Sequence, residues 1–428
     1  MDKNERPLRV LWFANTPGLS QQYFNAKVSG GGWISSLQRE VENTPGCQLG
    51  FAFYHDSRLE PFEFKKTTYF PIQKMASSKR KRLLYRLAAR TEKDENLANF
   101  LEVIESFRPD IIHVHGTENS FGLILRHIRH IPVVVSIQGN LTVYTKKYFS
   151  GMNMPGLVTQ AKAGYPFFGS DYKIWTKRAE IEQEILRAAK YIFGRTDWDR
   201  RVAAVLAPGA RYFPVEEVMR EKFYRIQWQP GSNAVPVLFT TSSPSFYKGF
   251  EMVIDTAILL VKNNFSFAWL VAGLSEEDAL VKLTLRMRGI SSLAGLHIQL
   301  LGQRSEDGLA EDLLRSDVYV QVSHIENSPN SLCEAMLAGI PVIASFAGGT
   351  SSLLRDGREG ILVQDGDPYA LAGGLLEMIR TPGPSRQMAG AARQVAHKRH
   401  DPGAIVDGML KAYAVIIHQH AREAEGGK

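Results

Sequence analysis

Cysteine is nearly absent from this 428-residue sequence, which holds only Cys47 and Cys333. Two thiols so far apart exclude a disulfide framework or a zinc finger and suit a reducing compartment. No run approaches the roughly 18 apolar residues of a membrane-spanning helix. Residues 1–7 are charged and pass straight into an apolar run with no signal-peptide core, so a cytoplasmic protein is expected. No short-period repeat is visible. Acidic residues are outnumbered, 44 against 51 basic, for a net charge of +7. That surplus favours acidic partners such as phosphates or an anionic membrane surface, and does not by itself make a nucleic-acid binder. What is present is ordinary for a globular protein: 44% hydrophobic and 22% charged residues, in a chain long enough for two or three domains.

Short apolar runs alternate with amphipathic stretches nearly throughout. The pattern predicts strands over 8–13, 48–53, 109–114, 132–137 and 190–194, with helices over 33–43, 79–106, 119–129 and 172–189. It then predicts strands over 235–240, 266–272, 296–301, 317–322, 341–344 and 360–363. The helices between and after these fall at 249–262, 276–287, 306–315, 330–338, 350–355 and 368–380. Such alternation means an α/β protein with doubly wound parallel sheets, here in two copies. Pro208, Gly209, Pro214, Pro230 and Gly231 interrupt the pattern. Domains are therefore expected at 1–210 and 211–400, and a C-terminal helix within 401–428 is expected to pack back on the first. Open parallel sheets bind ligands beyond the carboxyl ends of their strands, so the residues after each strand are the candidates.

After strand 317–322, Ser328 suits an N-cap and Pro329 a first helical position. The amides of Asn330, Ser331 and Leu332 would then face an anion such as a diphosphate. Glu326 and Glu334 flank that helix start and could hydrogen-bond sugar hydroxyls; the same letters also describe an ordinary capped surface helix. Lys248-Gly249 follows the first strand of the second half, where a lysine can neutralise a leaving diphosphate. Gly30-Gly31-Gly32 opens helix 33–43 as a phosphate or acceptor nest, or as a flexible loop. No G-x-G-x-x-G follows strand 8–13, which argues against a nicotinamide enzyme. His113 and His115 lie on one side of strand 109–114, with His115 at its end. Gln138 and Asn140 follow strand 132–137, and Arg195 follows strand 190–194.

The run from Glu326 through Glu334, Gly339-Ile340-Pro341 and Gly348-Gly349, trailed by Asp356-Gly357-Arg358-Glu359-Gly360, closely resembles the signature of retaining glycosyltransferase family 4. That family has the GT-B fold, two Rossmann-like doubly wound parallel-sheet domains facing a central cleft. The resemblance implies transfer of a sugar from a nucleotide-diphosphate sugar to a glycan or lipid-linked acceptor, of the bacterial polysaccharide-assembly type. It implies that Glu334 meets the ribose, Glu326 the transferred sugar, and the amides of Asn330, Ser331 and Leu332 the diphosphate. Gly302, Gln303 and Arg304 would lie against the nucleobase, and Gly31 and Gly32 over the donor phosphates. His115 would face the transferred sugar, with Gln138 and Asn140 on the acceptor side.

The resemblance also implies front-face attack, with the departing diphosphate taking the acceptor proton. It implies no tightly bound metal, because Lys248 and the helix amides do a cation's work. Family members usually carry an arginine five residues before this lysine, where this sequence has Ser243. Arg195 is the expected substitute, or it pairs locally with Asp197 or Asp199 and caps the next helix. The likeness is strong over 236–366, moderate over 8–140 and thin over 141–232. A non-catalytic GT-B subunit that binds a glycan or partner is the rival suggested by Ser243, and a nucleotide-sugar epimerase shares the architecture. Lys79, Arg82, Arg86 and Arg90 share one face of helix 79–106 beside Leu83 and Leu87. That face could dock on anionic lipid at the inner side of the plasma membrane, or stand in solvent.

Overall fold

The computed structural model describes residues 6–24, 32–152, 168–231 and 233–426. The chain divides into two compact units. The first comprises Met1–Thr145, Ser170–Val218 and His400–Lys428, and the second Lys146–Gly169 and Met219–Arg399.

The first unit holds β1 (Leu8–Ala14), β2 (Cys47–His55), β3 (Phe62–Phe64), β4 (Thr67–Gln73), β5 (Ile111–His115), β6 (Val133–Ser136), β7 (Tyr191–Gly194) and β8 (Arg211–Pro214). They form one sheet in the order β3-β4-β2-β1-β5-β6-β7-β8. Every neighbouring pair is parallel except β3, which runs antiparallel to β4. The central strands are buried on both faces, as their near-continuous apolar sequences require. One face packs Ile405, Val406, Met409, Tyr413 and Ile416 of the helix Pro402–Gly426 against Val10, Trp12 and their neighbours. Register sets Ala14, His115, Ser136 and Phe193 level across four adjacent strands, so their carboxyl ends open on one rim.

The second unit holds β9 (Val237–Thr241), β10 (Ala268–Ala272), β11 (Ile298–Gly302), β12 (Val318–Gln321), β13 (Val342–Phe346) and β14 (Ile361–Gln364). They form an all-parallel sheet in the order β11-β10-β9-β12-β13-β14. Counted within the unit, that order is 3-2-1-4-5-6, the dinucleotide-fold arrangement, and it reverses direction between β9 and β12. The loops leaving β9 and β12 therefore meet at the switch point, and these loops carry Lys248 and Glu326.

All eleven strands expected from periodicity are found within two residues of their place. Other expectations change. The stretch 79–106 is two helices, Lys79–Leu87 and Leu97–Phe107, because Ala89 takes a left-handed turn (φ 46°) and a polar run follows it. The stretch 119–129 is a 3-10 helix, Ser120–Arg126. The segment 211–218 lies with the first unit rather than the second, since β8 hydrogen-bonds β7.

Candidate functional site

In the second unit, the loop after β9 tightens into a 3-10 turn, Phe246–Lys248, that ends on Gly249 at φ 71°. A Cβ on Gly249 would stand 2.1 Å from the Val322 carbonyl oxygen, so only glycine lets this loop lie against the loop after β12. The Lys248 ammonium is thereby delivered to Glu326, Nζ to Oε1 2.5 Å. Burial works against the charged lysine, but the facing Glu326 carboxylate holds its pKa above the ordinary value. The Gly348-Gly349 pair shapes the other side of Glu326. A Cβ on Gly348 would meet the Glu326 carbonyl oxygen at 1.9 Å, and the Gly349 amide donates to that same oxygen at 2.8 Å.

The helix Asn330–Ala338 falls where the sequence pattern places it. Pro329 is the cap rather than the first helical residue, and its own side chain makes no capping hydrogen bond. The Leu332 and Cys333 amides donate to the Pro329 carbonyl at 3.0 and 3.1 Å, so the Leu332 amide is already engaged. The Asn330 side-chain oxygen is buried and has no partner among the described residues. Glu334 sits one turn into the helix and accepts two hydrogen bonds from Arg220, each 2.6 Å. Burial raises the Glu334 carboxyl pKa while Arg220 pulls against it.

Gly302 ends β11 with φ 65°, Gln303 is exposed, and Arg304 turns back to Asp312 at 2.6 and 3.1 Å. The Ser243 carbonyl accepts from the Ser245 amide at 2.6 Å, in a tight turn.

Three residues that sequence reasoning missed stand beside this site. Tyr319 of β12 places its hydroxyl 2.8 Å from Thr241 and on Ser331, and burial pushes its pKa up to about 12. Gln321, on the same strand face, is buried with neither amide atom partnered among the described residues. His324 lies buried between Asp365, 2.5 Å from Nδ1, and Glu251, which faces Nε2. Burial disfavours its charge, yet the two carboxylates raise its pKa to about 9. Asp365 also pairs with Lys147 at 3.0 Å. Two residues on, Asp367 caps the next helix and accepts from the Tyr369 and Ala370 amides.

In the first unit, Gly31 lies outside the described residues, and Gly32 opens the helix Gly32–Glu42. His115 is 1% exposed, and neither ring nitrogen has a hydrogen-bond partner among the described residues. Burial, then His113 and Arg195, push its pKa well below the ordinary value, so the ring is neutral. Buried polar atoms are nearly always paired, and a bare imidazole at a strand end marks a place where a ligand or water is expected. Asn140 is buried, and its side-chain oxygen accepts from the Val143 amide at 3.2 Å as the cap of the helix Leu141–Lys147. Gln138, half-buried, sits on the same rim. So does Glu118, also missed, which accepts from Asn15 Nδ2 at 3.1 Å and the Gly139 amide at 3.2 Å.

The Arg195 guanidinium lies over the Trp33 ring, 4.4 Å from the centroid, with Nε 3.5 Å from Glu217. Asp199 accepts from the Arg195 backbone amide and closes a capping box with Thr196.

Two Rossmann-like parallel-sheet units of this kind define a GT-B protein. Solved structures bear this out for the fold. Sucrose-phosphate synthase from Thermosynechococcus elongatus superposes with a TM-score of 0.74 at 15% identity, over 96% of this chain and 100% of that one. The Anabaena protein HepE in complex with UDP and glucose gives 0.64 at 18% identity, over 95% and 99%. Residues 235–381 match the family described as glycosyl transferases group 1. That match falls within the second unit. Among curated proteins, a D-inositol 3-phosphate glycosyltransferase of Streptomyces scabiei is 32% identical over 35% of this chain and 32% of its own length. A phosphatidyl-myo-inositol mannosyltransferase of Mycobacterium leprae is 30% identical over 42% of this chain and 46% of its own. The matches thus span a third to a half of these relatives.

Proposed function

We propose that the protein is a retaining glycosyltransferase that moves a sugar from a nucleotide-diphosphate sugar to a glycan or lipid-linked acceptor in bacterial surface polysaccharide assembly. The observation that carries this reading is the Lys248–Glu326 pair at the switch point of the second sheet, beside a helix start with Glu334 one turn inside it. An arriving diphosphate competes with Glu326 for the ammonium and meets the positive end of the helix Asn330–Ala338. Glu326, once released, is free to accept from sugar hydroxyls. Glu334 reaches a ribose by exchanging one of its bonds to Arg220. The bond from the anomeric carbon to the diphosphate then breaks as the acceptor oxygen bonds on the same face, and the diphosphate takes the acceptor proton. Lys248 and the helix amides stabilise the leaving group without a tightly bound metal, and Arg195 is the cation assigned to compensate for Ser243. The relatives that carry inositol glycosyltransferase names and the UDP-bound neighbour support this chemistry.

The lipid-linked acceptor agrees with the helix Lys79–Leu87, which buries none of its residues. Leu83, Leu84 and Leu87 are 48%, 54% and 58% exposed among lysines and arginines. This face is assigned to an anionic membrane, with no role in nucleic-acid binding. The test is incubation of the purified protein with a panel of UDP-, GDP- and dTDP-sugars. Slow release of nucleotide from one of them, with the sugar's anomeric configuration retained, is expected. Release from none of them would identify a non-catalytic binding subunit.

A further inference from the structure

Tyr413 belongs to the helix Pro402–Gly426 and is 1% exposed. Its ring stacks on Phe193, centroids 5.7 Å apart and planes within 17°. Its hydroxyl touches two groups of the sheet: Trp12 Nε1 at 3.2 Å and His113 Nδ1 at 2.5 Å. His113 Nε2 in turn lies 2.6 Å from the Ser136 hydroxyl.

The direction of this chain follows from the chemistry of its first member. An indole nitrogen donates and cannot accept, so the Tyr413 oxygen accepts from Trp12. The phenol proton then has His113 Nδ1 as its partner, and a nitrogen that accepts a proton bond carries no proton of its own. His113 is neutral, because burial and then the positive Arg195 bring its pKa down to about 3. Its single proton therefore sits on Nε2 and is donated to Ser136. Four groups from β1, the C-terminal helix, β5 and β6 thus form one oriented line of hydrogen bonds.

The line matters for His115 because that imidazole has no polar tether among the described residues. Three rings pack against it: His113 at 3.7 Å, Trp12 at 4.5 Å and Trp33 at 5.9 Å between centroids. Two of those three rings, His113 and Trp12, are fixed by the Tyr413 hydroxyl. We propose that Tyr413 is a positioning residue that locks His113 in its Nε2–H tautomer and, through ring contact, sets the orientation of His115. The tautomer rests on geometry alone, whereas its use in presenting His115 to a sugar rests on the function proposed above.

The experiment is long-range proton–nitrogen NMR of the full chain with isotope-labelled histidine near neutral pH, the His113 signals being assigned by their loss in His113→Asn. The parent is expected to show His113 as one neutral Nε2–H species. Tyr413→Phe removes the donor to Nδ1, so His113 is expected to become a mixture of tautomers and the His115 signals to shift. Trp12→Phe is the second variant, which frees the phenol to accept from Nδ1–H and should also produce a mixture. An Nδ1–H species in the parent overturns the proposal. So do His113 and His115 signals unchanged in whichever of the two variants fold. A protein that shows the expected tautomer but releases no nucleotide from any sugar donor would remove the sugar-facing role of His115 and leave the positioning intact.

Discussion

Arg220 and Glu334 meet through two parallel hydrogen bonds of 2.6 Å, the fork geometry in which a guanidinium matches a carboxylate. Glu334 thus has a structural partner as well as a proposed ligand. Glu334→Ala is expected to weaken donor binding by about 1.5–3 kcal/mol. It should also cost folding stability on the order of 2–3 kcal/mol, since a largely buried arginine loses its counter-ion. Adding Arg220→Ala should restore part of the stability and none of the affinity, as denaturant melts and nucleotide titrations would report.

Lys248→Ala removes the cation nearest the proposed leaving group. Turnover is expected to fall about 100-fold or more, with a much smaller change in donor affinity, because the interaction strengthens as charge develops. Rates of nucleotide release at saturating donor give the comparison.

Arg195→Ala tests the compensation for Ser243. Loss of turnover at saturating donor is the expected outcome, together with a stability loss on the order of 2–3 kcal/mol as Glu217 loses this ion pair and Trp33 its cation. Unchanged turnover in a destabilised variant would assign Arg195 to structure alone.

His324 gives the second unit a pH signature. Its pKa in the fold is about 9, above the ordinary 6.5, so its contribution is complete below about pH 6.5. That contribution, up to about 3 kcal/mol, declines as pH rises and is gone above pH 9. Denaturant midpoints measured from pH 6 to 10 should fall more steeply for the parent than for His324→Gln.

The helix Lys79–Leu87 should carry the protein to the top of a flotation gradient with anionic liposomes at low salt, and not at high salt. Replacing Leu83, Leu84 and Leu87 together with glutamate should abolish flotation and leave nucleotide release unchanged. Parent protein that stays at the bottom at low salt would sink the membrane assignment.

Both sheets were legible in the sequence because buried parallel strands declare themselves as apolar runs. The edge hairpin β3–β4 escaped because Phe62-Glu63-Phe64 is too short to establish a period, and Pro71 interrupts the longer strand. Within the site, Glu326, Glu334 and Lys248 could be named from local letters, since each follows a strand or opens a helix. Their partners could not. Arg220 lies in the irregular stretch between the two patterns, and it reaches Glu334 across 114 residues. Tyr319 read as one more apolar strand residue, although its hydroxyl ends among Thr241 and Ser331. Tyr413 shows the same limit: an aromatic at helical spacing announces a core position and is silent about its hydroxyl.

The helix Pro402–Gly426 also bears on synthesis. The core around Val10 and Trp12 is finished by Ile405, Met409, Tyr413 and Ile416, which leave the ribosome after all the strands. At about 5–20 residues per second, the strands of the first unit wait roughly 10–40 s after β8 emerges before that face can be covered. The second unit, continuous from Met219 to Arg399 apart from its short early segment, has most of its core in hand first. Vectorial synthesis therefore inverts the order of the map, and the amino-terminal unit is the one whose core closes second.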